Sequence, residues 1–303
     1  MANGQQTVLE ILNKTTAFFQ KKGVPDPRLD AQYILAHGLG MKNRMDLYLN
    51  FEKPLTAAEL DVLRPLVARR ANREPLQHIV GDTSFRGFRI KCDPRALIPR
   101  PETEELVDLA KSRLEGIENP FIVEVGTGTG AIAISCAKEI AGARVLATDI
   151  SAEALSLAKE NAEINQLASA ANTLQFAQGD LLDAVTAEVS IRAGIAADSK
   201  INCLIANLPY IPDGEKEKLQ PEVGNFDPAL ALFGGADGLD LVRKLLTQTE
   251  NRLAPSAPIL LEIGSEQAAL LEAEAANYPW LKFIASHRDY CGNIRFVEYK
   301  AIS

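Results

Sequence analysis

The sequence predicts an α/β protein in which a doubly wound, seven-stranded sheet is preceded by a small all-α domain. Three observations lead to this prediction: helical spacing of apolar residues up to residue 73, a glycine-rich turn after an apolar strand, and alternating strands and helices beyond residue 119. With 303 residues, 47% hydrophobic and 24% charged, the chain is long enough for two domains and too apolar for disorder.

Charge is distributed unevenly along the chain. Residues 1–99 contain 15 Lys and Arg against 10 Asp and Glu, whereas residues 100–303 contain 17 against 30. A basic first part fits an acidic partner such as RNA or an acidic protein surface, and a solvated helical face explains it equally well. No apolar run approaches the roughly 20 residues of a membrane helix, and the polar start lacks a signal pattern. We therefore expect a cytoplasmic protein with no membrane partner.

Cysteines and histidines give no pattern typical of a metal centre. The four cysteines form no Cys-x-x-Cys pair, and the histidines have no neighbouring ligand at metal-binding spacing. These residues are Cys92, Cys136, Cys203, Cys291, His37, His78 and His287. We predict no metal site and no disulfide framework.

The first predicted elements are helices. Between residues 7 and 73 apolar residues recur three and four positions apart, which is the helical period. Thr56 with Glu59 three residues later is a capping-box pattern, and Pro65 is expected to kink or split the helix that follows. This pattern predicts an N-terminal helical domain over residues 1–75.

A change of pattern follows at residues 76–98. Gln77–Val80 and Phe88–Cys92 are short β-like runs next to glycines, which predicts a β-hairpin linker. Pro101 suits the first turn of a helix that opens the second domain, residues 99–303.

In the second domain, strands and helices alternate. Helices are expected near Ala131–Ile140 and Ala152–Asn165, each directly after a strand. The predicted strands are Phe121–Val125, Arg144–Asp149, Thr173–Ala177, Ile201–Ala206, Ile259–Ile263, Phe283–Ser286 and Ile294–Tyr299. A short turn around Gly292 joins the last two, so we expect an antiparallel hairpin at the sheet edge.

The first of these strands ends in a glycine-rich turn. The turn reads Gly126-Thr127-Gly128-Thr129-Gly130 and enters a helix, so a cofactor can approach backbone amides there. Asp149 ends the second strand, 23 residues after Gly126, where an acid can accept both hydroxyls of a ribose. The spacing G-x-G-x-G differs from the dinucleotide G-x-G-x-x-G. The turn resembles motif I of the S-adenosylmethionine-dependent methyltransferases, which implies a Rossmann-like domain of that class. Glycines that merely close a tight turn are the alternative.

Asp180 and Leu181 follow the third strand. In the methyltransferase class that the turn resembles, an acid at this place lies near the adenine amino group, with a neighbouring side chain against the ring. We therefore include both residues in the predicted cofactor site. A helix N-cap is the alternative role for Asp180.

The fourth strand leads into Asn207-Leu208-Pro209-Tyr210, which resembles the Asn-Pro-Pro-Tyr motif of amino-methyltransferases. An amide or exocyclic amine is a poor nucleophile because its lone pair is delocalised. The Asn207 side-chain oxygen and the Leu208 carbonyl can accept both of its N–H groups, orient the nitrogen and stabilise developing positive charge. Tyr210 would stack on the flat group. We predict these four residues as catalytic and substrate-binding, with Asn207 also next to the cofactor.

Leu208 departs from the motif because it replaces the first proline. A backbone carbonyl survives this exchange, and Pro209 still biases Leu208 toward extended geometry. The tetrapeptide does not choose the substrate by itself, since Asn-Leu-Pro-Tyr also occurs in rRNA adenine dimethyltransferases. A plain Asn-x-Pro turn after a strand is the structural alternative.

Nearly the whole chain resembles the release factor glutamine methyltransferase family (PrmC/HemK). The matching stretches are Arg69-Arg70, Glu74–Gln77, Leu97–Glu104, Val123–Gly130, Asn207–Pro212, Pro221–Val223, Leu232–Asp240, Leu261–Gly264 and Asp289–Asn293. The Arg-Pro-Glu-Thr-Glu block combined with Asn-x-Pro-Tyr-Ile-Pro is highly specific. A sister family that modifies a ribosomal-protein glutamine shares it.

The resemblance implies methyl transfer from S-adenosyl-L-methionine to the glutamine of the Gly-Gly-Gln motif in peptide chain release factors. The products are N5-methylglutamine and S-adenosyl-L-homocysteine. By the same resemblance, the helical domain helps to dock the release factor, and Arg100, Pro101 and Glu102 bind substrate at the pocket mouth. Glu102 is otherwise an ordinary first-turn acid favoured by the helix dipole.

Other functions remain open at this stage. They are methylation of a ribosomal-protein glutamine, N6-adenine methylation of RNA or DNA, and nucleotide binding without catalysis. The net charge of −13 over residues 100–303 is a poor match for a polyanion. We therefore predict that direct nucleic-acid binding is not required, and we expect a monomer.

Overall fold

The helices and strands are defined over residues 6–167, 174–192 and 194–302, which the computed structural model describes. In chain order the α-helices are α1 (Val8–Lys21), α2 (Pro27–Gly38), α3 (Asp46–Leu49), α4 (Ala57–Ala71), α5 (Leu76–Val80), α6 (Glu104–Arg113), α7 (Ala131–Glu139), α8 (Ala152–Ile164), α9 (Ala187–Arg192), α10 (Pro221–Phe226), α11 (Asp240–Gln248) and α12 (Ala268–Glu274). The strands are β1 (Asp82–Phe85), β2 (Phe88–Lys91), β3 (Phe121–Val125), β4 (Arg144–Asp149), β5 (Leu174–Gln178), β6 (Cys203–Asn207), β7 (Pro258–Glu262), β8 (Leu281–Arg288) and β9 (Ile294–Ala301). Within these ranges no helix is long and apolar enough to cross a bilayer.

The chain divides into two units. One comprises Met1–Asp82 together with Leu219–Phe226, and the other comprises Thr83–Lys218 together with Asp227–Ser303. No sequence pattern predicts that the segment Leu219–Phe226 joins the N-terminal unit. The predicted domain limits at residues 75 and 98 stay predictions.

The first unit is helical, as the apolar spacing predicts. The capping box at the start of α4 is present: Thr56 Oγ1 accepts from the Glu59 N–H at 3.2 Å, and Glu59 Oε2 accepts from the Thr56 N–H at 2.8 Å. Pro65 does not split α4, which continues to Ala71. Pro65 lies on an exposed face, where water can solvate the carbonyl that loses its helical partner.

A buried ion-pair network ties the later segment into this unit. Arg70 is 4% exposed and donates to Asp30 Oδ2 at 2.6 Å and to Glu222 Oε1 at 2.9 Å. Arg73 donates to both oxygens of Glu222, each at 2.6 Å. Buried charges are tolerated only when paired and hydrogen-bonded, so these contacts hold α10 against the N-terminal helices.

The expected extended run at Gln77–Val80 is wrong, because these residues lie in the helix α5. Pro75 precedes the helix with φ −53°, and Gly81 ends it in the left-handed region at φ 94°. The predicted hairpin exists but starts later, as β1 and β2. Its two-residue turn has positive φ at both Arg86 (50°) and Gly87 (79°), the geometry that suits a tight hairpin.

The second unit contains the predicted seven-stranded sheet. Its strand order is β5-β4-β3-β6-β7-β9-β8, with parallel pairing from β5 to β7 and antiparallel pairing of β9 with β7 and with β8. The final hairpin therefore forms the sheet edge, as predicted. The third predicted strand is observed as Leu174–Gln178, and Thr173 lies outside the described residues.

The strand order places the candidate site. After β3 the chain adds β4 and β5 on one side of that strand and then crosses to the other side to form β6. The position between β3 and β6 is the switch point at which open α/β sheets bind ligands. All five residues of β3 are buried; Phe121, Val123 and Val125 pack into one apolar layer, and Ile122 packs into a separate one. In the register, Val125 pairs with both Thr148 and Ala206, so the ends of β3, β4 and β6 meet at one edge.

Candidate active site

A cavity lies at the carboxyl ends of these three strands, within the second unit. Among the predicted site residues, those lining it are Gly126, Thr127, Gly128, Thr129, Asp149, Asp180, Leu181, Arg100, Asn207, Leu208 and Pro209. Gly130, Pro101, Glu102 and Tyr210 lie close in sequence but do not line it. Tertiary structure thus brings segments from five separate parts of the sequence to one place.

The glycine turn wraps closely around its neighbours. Gly126, Gly128 and Gly130 have φ values of 73°, 54° and 82°, a region that L side chains rarely adopt. A Cβ on Gly130 would lie 3.1 Å from Ala158 Cβ on α8, so this glycine allows the turn to pack against the helix. At Gly128 the nearest heavy atom to such a Cβ is 3.8 Å away. The turn is therefore less crowded at Gly128 than at Gly130.

Asp149 links the turn to the end of β4. Its Oδ2 accepts from the Gly128 N–H at 2.9 Å, and its Oδ1 accepts from the Ser151 N–H at 2.9 Å. Burial raises the pKa of Asp149, while these backbone hydrogen bonds oppose the rise. The carboxylate consequently holds two loops in place as well as facing the cavity.

Glu124 is a cavity residue that the predicted site omits. It lies on β3 and is 1% exposed, and Thr127 Oγ1 donates to its Oε2 at 2.6 Å. Burial, with a smaller contribution from the charge of Asp149, raises the pKa of Glu124 to about 8, and the hydrogen bond from Thr127 opposes the rise. An acid inside an apolar strand, two residues before Gly126, was the available sequence signal.

Asp180 and Leu181 take different roles at the cavity wall. Asp180 forms an ion pair with Lys244; it occupies the N-cap position of the 3₁₀ turn Leu181–Ala184, but its side chain makes no cap hydrogen bond there. Leu181 is 6% exposed and has φ 54°. A left-handed conformation strains a leucine, and such strain is common at ligand sites.

Asn207 ends β6 beside two polar partners. Its Nδ2 donates to Thr103 Oγ1 at 3.4 Å, and in the sheet register Asn207 pairs directly with Glu262 on β7. Leu208 is 5% exposed, and its Cδ2 lies 3.0 Å from where a Cβ on Gly126 would be. The leucine that replaces the motif's proline therefore fills space against the glycine turn.

A second glycine-rich loop supports Pro209 and Tyr210. A Cβ on Gly234 would overlap the Pro209 carbonyl oxygen, and one on Gly238 would overlap that of Tyr210. Gln267 Nε2 donates to the Tyr210 carbonyl at 2.8 Å. Burial raises the pKa of the Tyr210 hydroxyl, which keeps it neutral. Close backbone packing thus determines the path of the chain after Asn207.

Arg100 reaches the cavity from the turn before α6. Its Nη2 lies 3.4 Å from Asp227 Oδ2, and burial raises the pKa of Asp227 to about 6 despite this cation. Pro101 and Glu102 occupy the short 3₁₀ turn Pro101–Thr103. Pro101 is exposed and Glu102 is half-buried. Of the predicted residues Arg100, Pro101 and Glu102, only Arg100 lines the cavity.

The cavity suits a nucleoside that carries positive charge. The backbone at Gly126 and Gly128 lines the cavity, Asp149 offers a carboxylate, and Asp180 adds a second acid to the lining. Over the described residues, no group of three or more His, Cys, Asp or Glu side chains is placed to hold a metal ion. The residues present therefore fit S-adenosylmethionine, whose sulfonium is cationic.

Comparison with known proteins identifies the class of both domains. Residues 10–81 match the family described as PrmC N-terminal domain, and residues 122–208 match the family described as methyltransferase domain. The hMettl16 catalytic domain, solved in complex with MAT2A 3'UTR hairpin 6, shares the fold with a TM-score of 0.54 at 17% identity, over 78% of this chain and 82% of that one. Fold and site together define an S-adenosylmethionine-dependent methyltransferase.

Relatives specify the class further. The release factor glutamine methyltransferase of Deinococcus radiodurans is 38% identical over 95% of this chain and 96% of its own length. The MTRF1L release factor glutamine methyltransferase of Homo sapiens is 32% identical over 98% of this chain and 88% of its own. The chain belongs to the release factor glutamine methyltransferase family, as its motifs predict.

Proposed function

We propose that this protein methylates the side-chain amide nitrogen of the glutamine in the Gly-Gly-Gln motif of peptide chain release factors. The observation that carries the proposal is the placement of Asn207 at the cavity, with Nδ2 turned toward Thr103. Its Oδ1 is then available as an acceptor for a substrate N–H group. Membership of the family supports the release factor as the substrate.

The cofactor site in this proposal is the glycine turn with Asp149, Asp180 and Leu181. The turn comprises Gly126, Thr127, Gly128, Thr129 and Gly130. Bound S-adenosylmethionine supplies a methyl group on a cationic sulfur. Asp149 would accept hydrogen bonds from the ribose, and the backbone of the turn would hold the amino-acid end.

The catalytic residues act on the substrate amide. Asn207 Oδ1 and the Leu208 carbonyl accept its two N–H groups, which fixes the direction of the nitrogen and stabilises positive charge as it develops. Tyr210 packs on the amide plane, and Pro209 holds Leu208 extended. No strong base is needed, because the nitrogen becomes acidic once methylated and its proton then leaves to water.

Substrate docking involves the cavity mouth and the helical unit. Arg100, Pro101 and Glu102 contact the segment around the target glutamine, and the N-terminal helices bind the release factor surface. We also propose that the protein acts as a monomer in the cytoplasm. The net charge of −13 over residues 100–303 supports a protein substrate over a nucleic acid.

A methyl-transfer assay tests the proposal. Purified protein and radiolabelled S-adenosylmethionine are incubated separately with release factor, its Gly-Gly-Gln glutamine-to-alanine variant, a ribosomal-protein substrate and unmodified RNA. Label on intact release factor alone is expected. Label on RNA or on the ribosomal protein, or label that persists on the alanine variant, would overturn the proposed substrate.

A further inference from the structure

The orientation of the Asn207 amide decides whether it can act. The oxygen and nitrogen ends of an asparagine amide have nearly the same shape but opposite hydrogen-bonding character. An NH₂ group facing the substrate would meet the N–H groups of the target amide without an acceptor. Some feature of the protein must therefore hold the oxygen end toward the substrate.

Two buried residues lie on the other side of the amide. Thr103 precedes α6, and Glu262 ends β7 as the sheet neighbour of Asn207. Thr103 Oγ1 donates to Glu262 Oε2 at 2.7 Å and accepts from Asn207 Nδ2 at 3.4 Å. The Asn207 side chain also lowers the pKa of the Glu262 carboxyl. Thr103 is 4% exposed and Glu262 is 2% exposed, so solvent does not compete for these bonds.

The direction of these bonds follows from the chemistry of the carboxylate. An ionised Glu262 can only accept, so the Thr103 hydroxyl must direct its proton toward it. The Thr103 oxygen then presents a lone pair to Asn207, which satisfies it only with Nδ2. We propose that Thr103 and Glu262 are positioning residues that orient the Asn207 amide for methyl transfer. This inference rests on the proposed function.

The charge state of Glu262 provides a distinctive signature. The pKa of Glu262 is raised to about 7 by burial, with a smaller contribution from the charge of Glu102, against the opposing effects of the Thr103 hydrogen bond and the charge of Arg295 on β9. Tyr210 also faces this carboxyl from the loop after β6 and stays neutral. A protonated Glu262 can donate to Thr103, which frees the Thr103 hydroxyl to donate to Oδ1 of a reversed Asn207. Turnover should therefore fall as pH decreases through about 7.

The test measures kcat, KM for release factor and their pH dependence in three variants. Thr103→Val keeps the shape of the side chain without its hydroxyl, and we expect kcat to fall about 10- to 100-fold with KM nearly unchanged, a range typical of losing a partner that orients a reactive group. Thr103→Ser restores the hydroxyl and should recover most of the rate. Glu262→Gln should lower kcat at pH 8 and abolish the decline near pH 7.

Thr249→Val is the matched control. Thr249 is 1% exposed, donates to the Leu246 carbonyl at 2.6 Å and accepts from Trp280 Nε1 at 3.0 Å, outside the cavity. The Thr249→Val variant loses a comparable buried hydroxyl. Because this hydroxyl lies outside the cavity, the kcat of the variant should match that of the unaltered protein even if its thermal stability falls.

Three results would overturn the inference: unaltered kcat in Thr103→Val, equal loss in Thr103→Val and Thr103→Ser, or an unchanged pH profile in Glu262→Gln. If Thr103→Val does not fold, the serine variant and the Glu262→Gln pH profile still decide the question. Failure of the unaltered protein to methylate release factor would instead refute the proposed function.

Discussion

Replacement of Glu124 by glutamine should remove the loss of folding stability that ionisation of Glu124 causes as pH rises. Glu124 is buried at the centre of the sheet, and burial raises its pKa from 4.5 to about 8. The folded state therefore binds a proton that the unfolded state releases above pH 4.5. Stability from this group is fully present below pH 4.5 and is lost as pH rises through the folded pKa near 8.

The magnitude follows from linkage. Between the two pKa values the free energy of unfolding should decrease by about 1.4 kcal/mol per pH unit, so the change from pH 5.5 to 7.5 is about 3 kcal/mol. Glu124→Gln cannot ionise, and its side-chain oxygen can still accept from Thr127. The other buried acids titrate in both proteins. Their contributions cancel when the two unfolding free energies are subtracted at each pH.

Urea unfolding of both proteins at pH values from 5.5 to 7.5, without cofactor, measures this difference. The free energy of unfolding of Glu124→Gln minus that of the unaltered protein should increase by about 3 kcal/mol between pH 5.5 and 7.5. Glu153→Gln, at an exposed glutamate on α8, controls for the change in net charge. A difference between unaltered protein and Glu124→Gln that stays constant with pH would refute the reasoning, because Glu124 would then ionise alike in both states.

Three further substitutions separate cofactor binding from catalysis. Asn207→Ala should lower kcat by about 10²- to 10³-fold, because one group that stabilises transition-state charge is lost. The Kd for S-adenosylmethionine, measured by calorimetry, should change little. Normal turnover in this variant would show that Asn207 is not catalytic. Asp149→Ala should raise that Kd at least about tenfold, since charge-assisted bonds to Gly128 and Ser151 contribute about 1.5–3 kcal/mol each, and an unaltered Kd would contradict its assignment. Leu208→Pro keeps the carbonyl and should change kcat by less than about tenfold, while thermal unfolding occurs at lower temperature because a buried side chain against Gly126 is lost. A larger fall in kcat would show that the Leu208 side chain or N–H contributes to catalysis.

Elements with a strong local pattern were predictable. The strand β3, the glycine turn and the helix α7 each follow from apolar periodicity and from residues that only certain backbone conformations accept. Asp149 was predictable as a candidate because an acid at the end of the second strand can accept the hydroxyls of a ribose. By contrast, α5 was mistaken for a strand, since five residues do not distinguish a period of 3.6 from one of 2.

The position of the short segment α10 was not predictable for a different reason. Glu222 pairs with Arg70 across 152 residues of sequence, and no local pattern indicates such a contact. The packing of the loop that contains Gly234 and Gly238 was also not predictable, although this loop lies in the stretch Leu232–Asp240 that resembles the family. Only the structure reveals that they allow the loop to pack on the backbone of Pro209 and Tyr210.

By itself, the sequence determined the fold class and the family and indicated candidate site residues, because these depend on local periodicity and on short motifs. Tertiary structure decided which of those residues share a cavity and what charge state they hold. Asn207 acquires partners from Thr103 and Glu262 only when α6, β6 and β7 come together. Glu124 acquires its raised pKa only when the sheet removes it from water. Burial and long-range contacts are properties of the packed chain, and a linear pattern does not contain them.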